Sequence, residues 1–420
     1  MLRLIFFADR YAVNLLFFDQ WSLFSAFFED YGPWQIFTFQ HGPHRQGVGF
    51  FLTIWMAKLS GLNTRWDAFA VVGCIVGAGI SGAGLAVRCG VSAVLAFIGA
   101  GLIFFNLRQY EIFLSAPNLC VGGLPLFLVV LCACSWLIKR PSIRLPLIGV
   151  TVFNMIFSGY AIFAGGLIPA LLLVELVQAW KAGDRRRSGF VALALGICAA
   201  GWMLFSVDYV FMPAGEGFRF PYEKPWEYFY FAAIMHANMV GISGYGVFSI
   251  VAGGLIFLSV VAVFLWHGWR LLRHGVVNQP VSAAIFTLAG YGLLYCMSAS
   301  VGRVMMGLPA ALAPRYGTLL IPGVFAVFLH LSLYKWPRFH ILPMVSLALF
   351  AFGTLALRQA WIGVMWFHNG QTEWKAAYLE TRDELEANRR SKFRVFPEPG
   401  FVTQRMDYLE KRQLNLFAPE

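Results

Sequence analysis

The stretch GVGFFLTIWMAKLSGL, residues 47–62, decides the fold, because whether it crosses a membrane fixes the side on which every later segment lies. The stretch is apolar, but it is shorter than the about 20 residues that a membrane-spanning helix needs. It follows a polar, aromatic-rich segment that contains Asp19 and Arg45. Its length and composition agree either with a short span or with a helix that enters one leaflet and returns.

The basic residues elsewhere in the chain indicate that this stretch does not cross. Lysine and arginine cluster in short segments separated by long apolar runs, and the positive-inside rule places all of these clusters on the cytoplasmic side. Counting spans back from the clusters puts the N-terminal segment outside only if residues 47–62 stay in the outer leaflet. The clusters are Lys139–Arg144, Lys181–Arg187, Arg270–His274 and Lys335–Arg338.

The composition is that of a polytopic membrane protein. Hydrophobic residues make up 59% of the chain and charged residues 13%, whereas a soluble domain carries about 25% charged residues. The net charge of +11 is typical of nucleic-acid partners, but here the excess lies in short loops between apolar runs. We therefore attribute it to membrane topology and contact with lipid headgroups, and we expect no nucleic-acid partner.

The predicted fold class is all-α, with about ten transmembrane helices, outward juxtamembrane helices and a short helical C-terminal tail. The chain divides into an extracytoplasmic first loop (1–65), a transmembrane helical domain (66–361) and an extracytoplasmic tail (362–420). The tail is more consistent with a cap on the membrane domain than with an independent domain. The predicted spans are residues 66–87, 91–107, 119–138, 145–162, 165–180, 190–208, 243–266, 281–299, 316–334 and 341–361.

The first outward segment carries the strongest chemical signal. Asp19 opens an amphipathic stretch, where a carboxylate would either cap the helix or act as a general base for an acceptor hydroxyl. The motif QHGPHRQ, residues 40–46, then combines two imidazoles with a guanidinium. Arg45 is suited to holding a phosphate, and His41 and His44 are candidates for substrate contacts or structural polar contacts. With an acid they could also bind a metal, but a histidine pair in a loop is weak evidence for one.

Further polar groups lie at the outward ends of later spans. Glu111 follows Arg108 closely and is either its ion-pair partner or a second acid of an active site. Arg303 and Arg315 bracket one short loop with almost no other charge, and Tyr316 follows directly. A lipid phosphate or pyrophosphate would satisfy both arginines; the alternative is that both side chains reach to the membrane interface.

The order of these motifs resembles the GT-C superfamily of membrane glycosyltransferases, especially a bacterial, mostly uncharacterised branch of it. The resemblance implies a polyprenyl-phosphate-linked sugar as donor and an acid in the first extracytoplasmic loop that acts on the acceptor. It covers most of the chain, although its motifs are short. Carried over residue by residue, Asp19 matches the acid, His41, His44 and Arg45 match the polar motif, and Arg303, Arg315 and Tyr316 match the late loop.

Two departures from the family pattern bear on the mechanism. Gln20 and Pro43 stand where this branch commonly has an acid, which weakens a two-carboxylate or metal mechanism. The first 18 residues are apolar but contain Arg3, Asp9 and Arg10, so they are a poor substitute for the span that normally precedes the acidic loop.

The sequence therefore predicts a hexosyl or pentosyl transferase of a bacterial inner membrane. It would move a sugar from a polyprenyl-phosphate carrier to a lipid or cell-surface polysaccharide on the periplasmic side. Asp19 would be catalytic, and the loop at residues 209–242 with the tail would shape the sugar pocket. No cofactor is required. The alternatives are a lipid-linked oligosaccharide flippase or transporter, which needs ionisable groups near mid-bilayer, and a polysaccharide polymerase or ligase. The predicted substrate contacts are His41, His44, Arg45, Glu111, Arg303, Arg315 and Tyr316.

Overall fold

Helices form almost the whole of the computed structural model, so the predicted all-α class is confirmed. A backbone in a bilayer must satisfy its hydrogen bonds without water, and a helix does so within a single segment. The structure describes residues 1–114, 119–212, 218–333, 342–355, 358–398 and 400–418.

The regular elements follow the apolar runs of the sequence. A small antiparallel hairpin, β1 (Gln40–His41) and β2 (His44–Arg45), precedes the dipping stretch. In the described residues the α-helices are α1 (Leu2–Tyr11), α2 (Asp19–Leu23), α3 (Ser25–Phe28), α4 (Pro33–Phe37), α5 (Gly47–Leu59), α6 (Arg65–Cys89), α7 (Ala93–Phe104), α8 (Glu111–Leu114), α9 (Leu124–Ser135), α10 (Pro141–Ile156), α11 (Ile162–Lys181), α12 (Arg185–Ser206), α13 (Trp226–Met239), α14 (Val247–His274), α15 (Pro280–Arg303), α16 (Arg315–Leu333), α17 (Leu342–Leu355), α18 (Arg358–Thr381), α19 (Glu384–Ser391) and α20 (Thr403–Lys411).

Six helical segments of the described chain are long and apolar enough to cross a membrane. The remaining predicted spans correspond to shorter apolar helices, among them α7, α9, α10 and α17, and part of the last one lies outside the described residues. The prediction of about ten spans is therefore not confirmed. The six segments are Arg65–Cys89, Gly159–Lys181, Arg185–Ser206, Val247–His274, Pro280–Met306 and Arg315–Leu333.

The connections from α9 to α10, from α11 to α12 and from α14 to α15 gather at one end of the bundle. There the Val276 N–H, in the loop after α14, donates to Gln178 Oε1 near the end of α11 over 2.9 Å. At the same end Glu175 of α11 accepts hydrogen bonds from Arg144 of α10 and Arg187 of α12. We call this the basic end. It holds the clusters at Lys139–Arg144, Lys181–Arg187 and Arg270–His274, while Lys335–Arg338 lies outside the described residues.

The opposite end of the bundle is covered by a second hydrophobic core, built from both ends of the chain. Trp21 of the N-terminal segment and Trp374 of the C-terminal tail are both fully buried in it. We call the two segments, residues 13–62 and 374–417, the cap. The first loop and the tail, which the sequence suggests as separate regions, thus share one core.

Both ends of α5 lie at this cap end. Gly47, its first residue, packs against the backbone carbonyl of Phe157, the residue that follows α10. Beyond its last turn, the Leu62 carbonyl accepts a hydrogen bond of 2.8 Å from Asn415 Nδ2 in the tail. With 13 residues α5 is only about 20 Å long. It therefore runs across the cap end and does not reach the basic end.

Candidate functional site

Seven of the eight predicted site residues come together at the cap end, although five separate segments carry them. Electrostatic interactions link Asp19 to both His41 and Arg315. They also link His44 to His41 and Arg303, and Arg303 to Arg315. Because salt screens exposed charges beyond about 10 Å, these groups lie close enough together to form one cluster. We call it the polar cluster: Asp19, His41, His44, Glu111, Arg303, Arg315 and Tyr316.

Arg45, the eighth predicted residue, is committed elsewhere. Its Nε donates to the Phe205 carbonyl over 2.9 Å, and its other nitrogens donate to the carbonyls of Thr38 and Val207. The side chain is buried, and its guanidinium lies 5.6 Å from the centre of the Phe205 ring. Arg45 therefore fastens the hairpin to the end of α12. Backbone carbonyls use three of its five N–H donors, which argues against its predicted role as a phosphate ligand.

The hairpin presents two uncharged imidazoles to the polar cluster. The His44 ring packs against Tyr160 with 4.4 Å between ring centres. Burial, with smaller contributions from the nearby His41 and Arg303, lowers the pKa of His44 to about 4. Burial also lowers the pKa of His41, although the Asp19 carboxylate opposes that effect. Both rings are neutral near pH 7 and can exchange hydrogen bonds there without adding charge.

Asp19 sits at the first residue of α2, and it does not cap this helix. The N-cap position belongs to Phe18, whose φ of +50° is unusual for a residue with a side chain. The tail holds this turn, because the Phe18 N–H donates to the Val395 carbonyl over 2.7 Å. Among the described residues no donor lies within hydrogen-bonding distance of the Asp19 carboxylate, which is exposed. The carboxylate is thus held in place by its backbone and remains open to a ligand.

Glu111 is the second carboxylate of the cluster, and it is paired. Its Oε1 accepts a hydrogen bond of 2.7 Å from Arg315 Nη1, and its Oε2 accepts one of 3.2 Å from the Arg315 backbone N–H. The Glu111 side chain is 10% exposed and that of Arg315 is 44% exposed. Glu111 therefore anchors the start of α16 and leaves part of the Arg315 guanidinium accessible. Of the two roles that the sequence left open for Glu111, an ion pair is observed, and its partner is Arg315 instead of Arg108.

Arg303, at the end of α15, differs from Arg315 because no carboxylate forms an ion pair with it in the described part of the chain. Its Nη1 lies 4.0 Å from the Met306 sulfur, a weak acceptor. Tyr160 lies near enough to interact electrostatically with Arg303. Tyr316 is buried beside both arginines. The cluster thus contains one guanidinium whose charge is not neutralised by an ion pair among the described residues.

Tyr160 borders the polar cluster and was not predicted from the sequence. It lies in the single turn Gly159–Ala161 between α10 and α11. A tyrosine at the end of an apolar run is ordinarily read as a membrane-interface anchor. No local pattern indicated its contact with His44, because that residue is distant in sequence.

The start of the loop at residues 209–242 packs on the hairpin. The Tyr209 hydroxyl donates to the Pro43 carbonyl over 3.0 Å, and Gln40 contacts the backbone of Val210. Glu216, one of the carboxylates of this loop, lies outside the described residues. No group of three potential metal ligands occurs in the part of the chain that the structure describes.

Comparisons of this chain with family models, with curated proteins and with solved structures give no match. Chemically, the cluster combines two guanidiniums with neutral imidazoles and a carboxylate, and within the described ranges neither Arg303 nor that carboxylate, Asp19, forms an ion pair. Guanidinium groups bind phosphate through charge-assisted hydrogen bonds, and a free carboxylate can accept a proton. An anion and a hydroxyl-bearing group can therefore be bound side by side here.

Proposed function

We propose that this chain is a GT-C-type membrane glycosyltransferase that moves a sugar from a polyprenyl-phosphate carrier to a lipid or polysaccharide acceptor. The observation that carries the proposal is the meeting of Asp19 with Arg303 and Arg315 at one end of the bundle. Sugar transfer from such a carrier needs a cation near the departing phosphate, and acceptor activation needs a base beside it. This cluster supplies both in one place.

Each residue has a distinct part in the proposed reaction. Arg303 and the accessible part of Arg315 hold the carrier phosphate, which departs when the sugar is transferred. Asp19 takes the proton of the acceptor hydroxyl. His41 and His44 hydrogen-bond the substrates without adding charge, while Glu111 and Tyr316 hold Arg315 in position. No cofactor is needed for this reaction.

In the membrane we place the cap end on the periplasmic face and the basic end in the cytoplasm of a bacterial inner membrane. The distribution of lysine and arginine supports this orientation. The short apolar helices that pack in the bundle, such as α7 and α10, would complete the predicted set of about ten spans through local thinning of the bilayer.

A lipid-linked oligosaccharide transporter is the second candidate, and the break after α7 favours it. Transporters often bind substrates where a helix is interrupted inside the membrane, and the buried residues Asn106, Arg108 and Gln109 follow such an interruption. Gln109 bonds Thr318 and the Phe104 carbonyl, and Arg108 donates to Ser243. Since the protein itself uses these polar groups, we prefer the transferase.

The phosphate site can be tested by binding of a polyprenyl monophosphate to the purified chain in detergent. We expect Arg303→Lys and Arg315→Lys each to weaken binding by about tenfold, because a point charge cannot reproduce the two-pronged contact of a guanidinium. Arg273→Lys makes the same change on an exposed side chain at the basic end and should leave the affinity unchanged. Unaltered binding in both cluster variants would refute the phosphate site.

A further inference from the structure

We propose that the basic end carries a specific site for the headgroup of an anionic lipid, with Arg144 and Arg187 as its phosphate-binding residues. The lipid class that fits is a phosphatidylglycerol of the cytoplasmic leaflet. The inference is independent of the proposed sugar transfer, because the site lies at the opposite end of the bundle from the polar cluster. It gives two arginines of the basic segments a role beyond membrane topology.

Three charged side chains from three helices meet inside the basic end. Glu175 of α11 accepts hydrogen bonds from Arg187 Nε over 3.0 Å and from Arg187 Nη2 over 2.7 Å. It also accepts a hydrogen bond from Arg144 Nη2 of α10. The Glu175 side chain is fully buried, that of Arg144 is 6% exposed and that of Arg187 is 13% exposed. Two positive charges and one negative charge therefore lie together with little access to water.

The excess positive charge of this group is not balanced within the described part of the chain. Glu175 is the only carboxylate there that forms an ion pair with Arg144 or Arg187. A net charge that is withdrawn from water is costly unless a further counter-ion neutralises it. A phosphate that carries one negative charge would make the group neutral, and guanidinium groups bind phosphate through charge-assisted hydrogen bonds.

Two buried atoms of the same group indicate what else the ligand carries. All the hydrogen bonds from the two arginines end on Glu175 Oε1. Among the described residues, Glu175 Oε2 has no donor and Arg144 Nε has no acceptor. Buried polar atoms are rarely left without partners. The headgroup of phosphatidylglycerol has phosphate oxygens that accept and glycerol hydroxyls that donate, so it can serve both atoms.

The surface around this group attracts anions. The segments 139–144 and 175–187 contain seven basic side chains and two carboxylates, Glu175 and Asp184. Asp184 caps α12, where it accepts from the Arg187 N–H over 2.9 Å. The N-terminus of α10 has no side-chain cap, so its positive end adds to the attraction. The exposed basic residues are Lys139, Arg140, Lys181, Arg185 and Arg186.

Exposed apolar side chains on the same helices favour a lipid over a free anion. Ile143, the residue before Arg144, is exposed, and Val150 lies on the same face of α10 two turns further into the bilayer. Leu193 of α12 is exposed below Arg187. A lipid whose phosphate lies at the arginines has its acyl chains at the level of these side chains. Basic pockets between helices on the cytoplasmic side are suited to anionic headgroups in this way.

The site can be tested by binding of phosphatidylglycerol to the purified full chain in detergent, with native mass spectrometry as the readout. Arg187→Gln keeps the ion pair of Arg144 with Glu175 and removes the excess charge. We expect it to weaken binding of the first lipid by about tenfold, the scale of one hydrogen bond to a charged group. Arg273→Gln removes one charge from an exposed side chain of another basic segment at the same end and should leave this affinity unchanged.

Glu175→Gln should have the opposite effect. It removes the counter-ion that the protein itself supplies, so phosphatidylglycerol should bind more tightly and raise the melting temperature of this variant more than that of the parent protein. A purely structural role of the three charges predicts a lower melting temperature in Glu175→Gln that the lipid does not restore. If that variant does not fold, the comparison of Arg187→Gln with Arg273→Gln decides alone.

Two further ligands distinguish the sources of the phosphate. Phosphatidylcholine has a phosphate but no net charge, and it should bind more weakly than phosphatidylglycerol. Inorganic phosphate should not displace phosphatidylglycerol at millimolar concentrations. Equal binding of the two lipids, or equal effects of Arg187→Gln and Arg273→Gln, would overturn the site. Displacement by inorganic phosphate would overturn the lipid as its ligand. Neither result bears on the polar cluster, whose test uses variants at the cap end.

Discussion

Asp19 and Glu111 are two carboxylates of the same cluster in opposite surroundings. Glu111 is paired with Arg315, whereas Asp19 is exposed and has no hydrogen-bond donor among the described residues. Only an unpaired carboxylate can accept a substrate proton at little cost. We expect Asp19→Asn to lower sugar transfer by about 100-fold while leaving affinity for the carrier phosphate unchanged. The rate of sugar transfer is measured in proteoliposomes as the consumption of the polyprenyl-phosphate sugar, with mass spectrometry as the detection method.

Glu111→Gln is the contrasting variant. It removes the partner of Arg315, so it should lower the melting temperature and alter phosphate affinity as well as turnover. If Asp19→Asn instead lowers the melting temperature and leaves turnover per folded molecule near normal, Asp19 is a structural residue.

His44 provides a pH-dependent prediction, since its pKa is lowered to about 4 in the folded protein from an ordinary value near 6.5. Between these values the unfolded chain binds the proton and the folded chain does not. Stability is therefore fully present above about pH 6.5 and falls as the pH drops toward 4. We expect His44→Gln to reduce this loss, measured as melting temperature at pH 7.5 and pH 5. His274→Gln, at an exposed position of the basic end, should behave as the parent protein does.

At the scale of elements, two glycines with positive φ lie in different environments: Gly42 is in the turn of the hairpin, and Gly47 is the first residue of α5. Gly42 has φ +58°, and a Cβ there would have no atom within 4 Å, whereas a Cβ at Gly47 would meet the Phe157 carbonyl oxygen at 2.2 Å. Gly42→Ala should cost only the strain of the left-handed backbone, about 1–2 kcal/mol. Gly47→Ala adds a backbone clash that no rotamer change relieves, so we expect a clearly larger fall in melting temperature and weakened phosphate binding. Equal effects of the two variants would contradict the close contact.

The same scale shows what the sequence can and cannot predict. The apolar runs predicted where the helices lie, because helix formation in a bilayer depends mainly on local composition. Helix ends were predicted less well, since they depend on polar side chains that compete for the backbone. The span expected at residues 91–107 ends as α7 at Phe104, where Gln109 bonds the Phe104 carbonyl over 2.7 Å and Asn106 accepts from the Arg108 N–H over 2.9 Å.

The assembly of the candidate site illustrates the same limit. Asp19, Arg303 and Arg315 were found from their chemistry, because charges at the ends of apolar runs are conspicuous. The loss of Arg45 to backbone carbonyls and the gain of Tyr160 depend on which distant segments meet. The periodicity of a single sequence does not predict such contacts between distant segments.

At the scale of the whole molecule, the cap joins the N-terminal segment to the C-terminal tail, so the two segments share one side of the membrane. The Asn415 side chain in the tail donates to Asn14 Oδ1 over 2.8 Å, and the Phe18 N–H bonds the Val395 carbonyl. The first segment and the tail must therefore lie on the same side of the membrane. This side carries the cap end and lies opposite the basic end, which the positive-inside rule predicts to be cytoplasmic.

Cysteine labelling tests this arrangement with exposed positions at each end. Single cysteines are introduced at exposed positions of each end. The cap end receives Glu29→Cys or Glu373→Cys, and the basic end receives Arg185→Cys or His274→Cys. The seven native cysteines are buried or half-buried, so their background is low. In intact cells a membrane-impermeant maleimide should label the first pair, and it should reach the second pair only after permeabilisation. Labelling of the basic-end pair in intact cells, with a protected cap, would place Asp19 in the cytoplasm. A periplasmic transfer from a lipid-linked donor would then be impossible at this site.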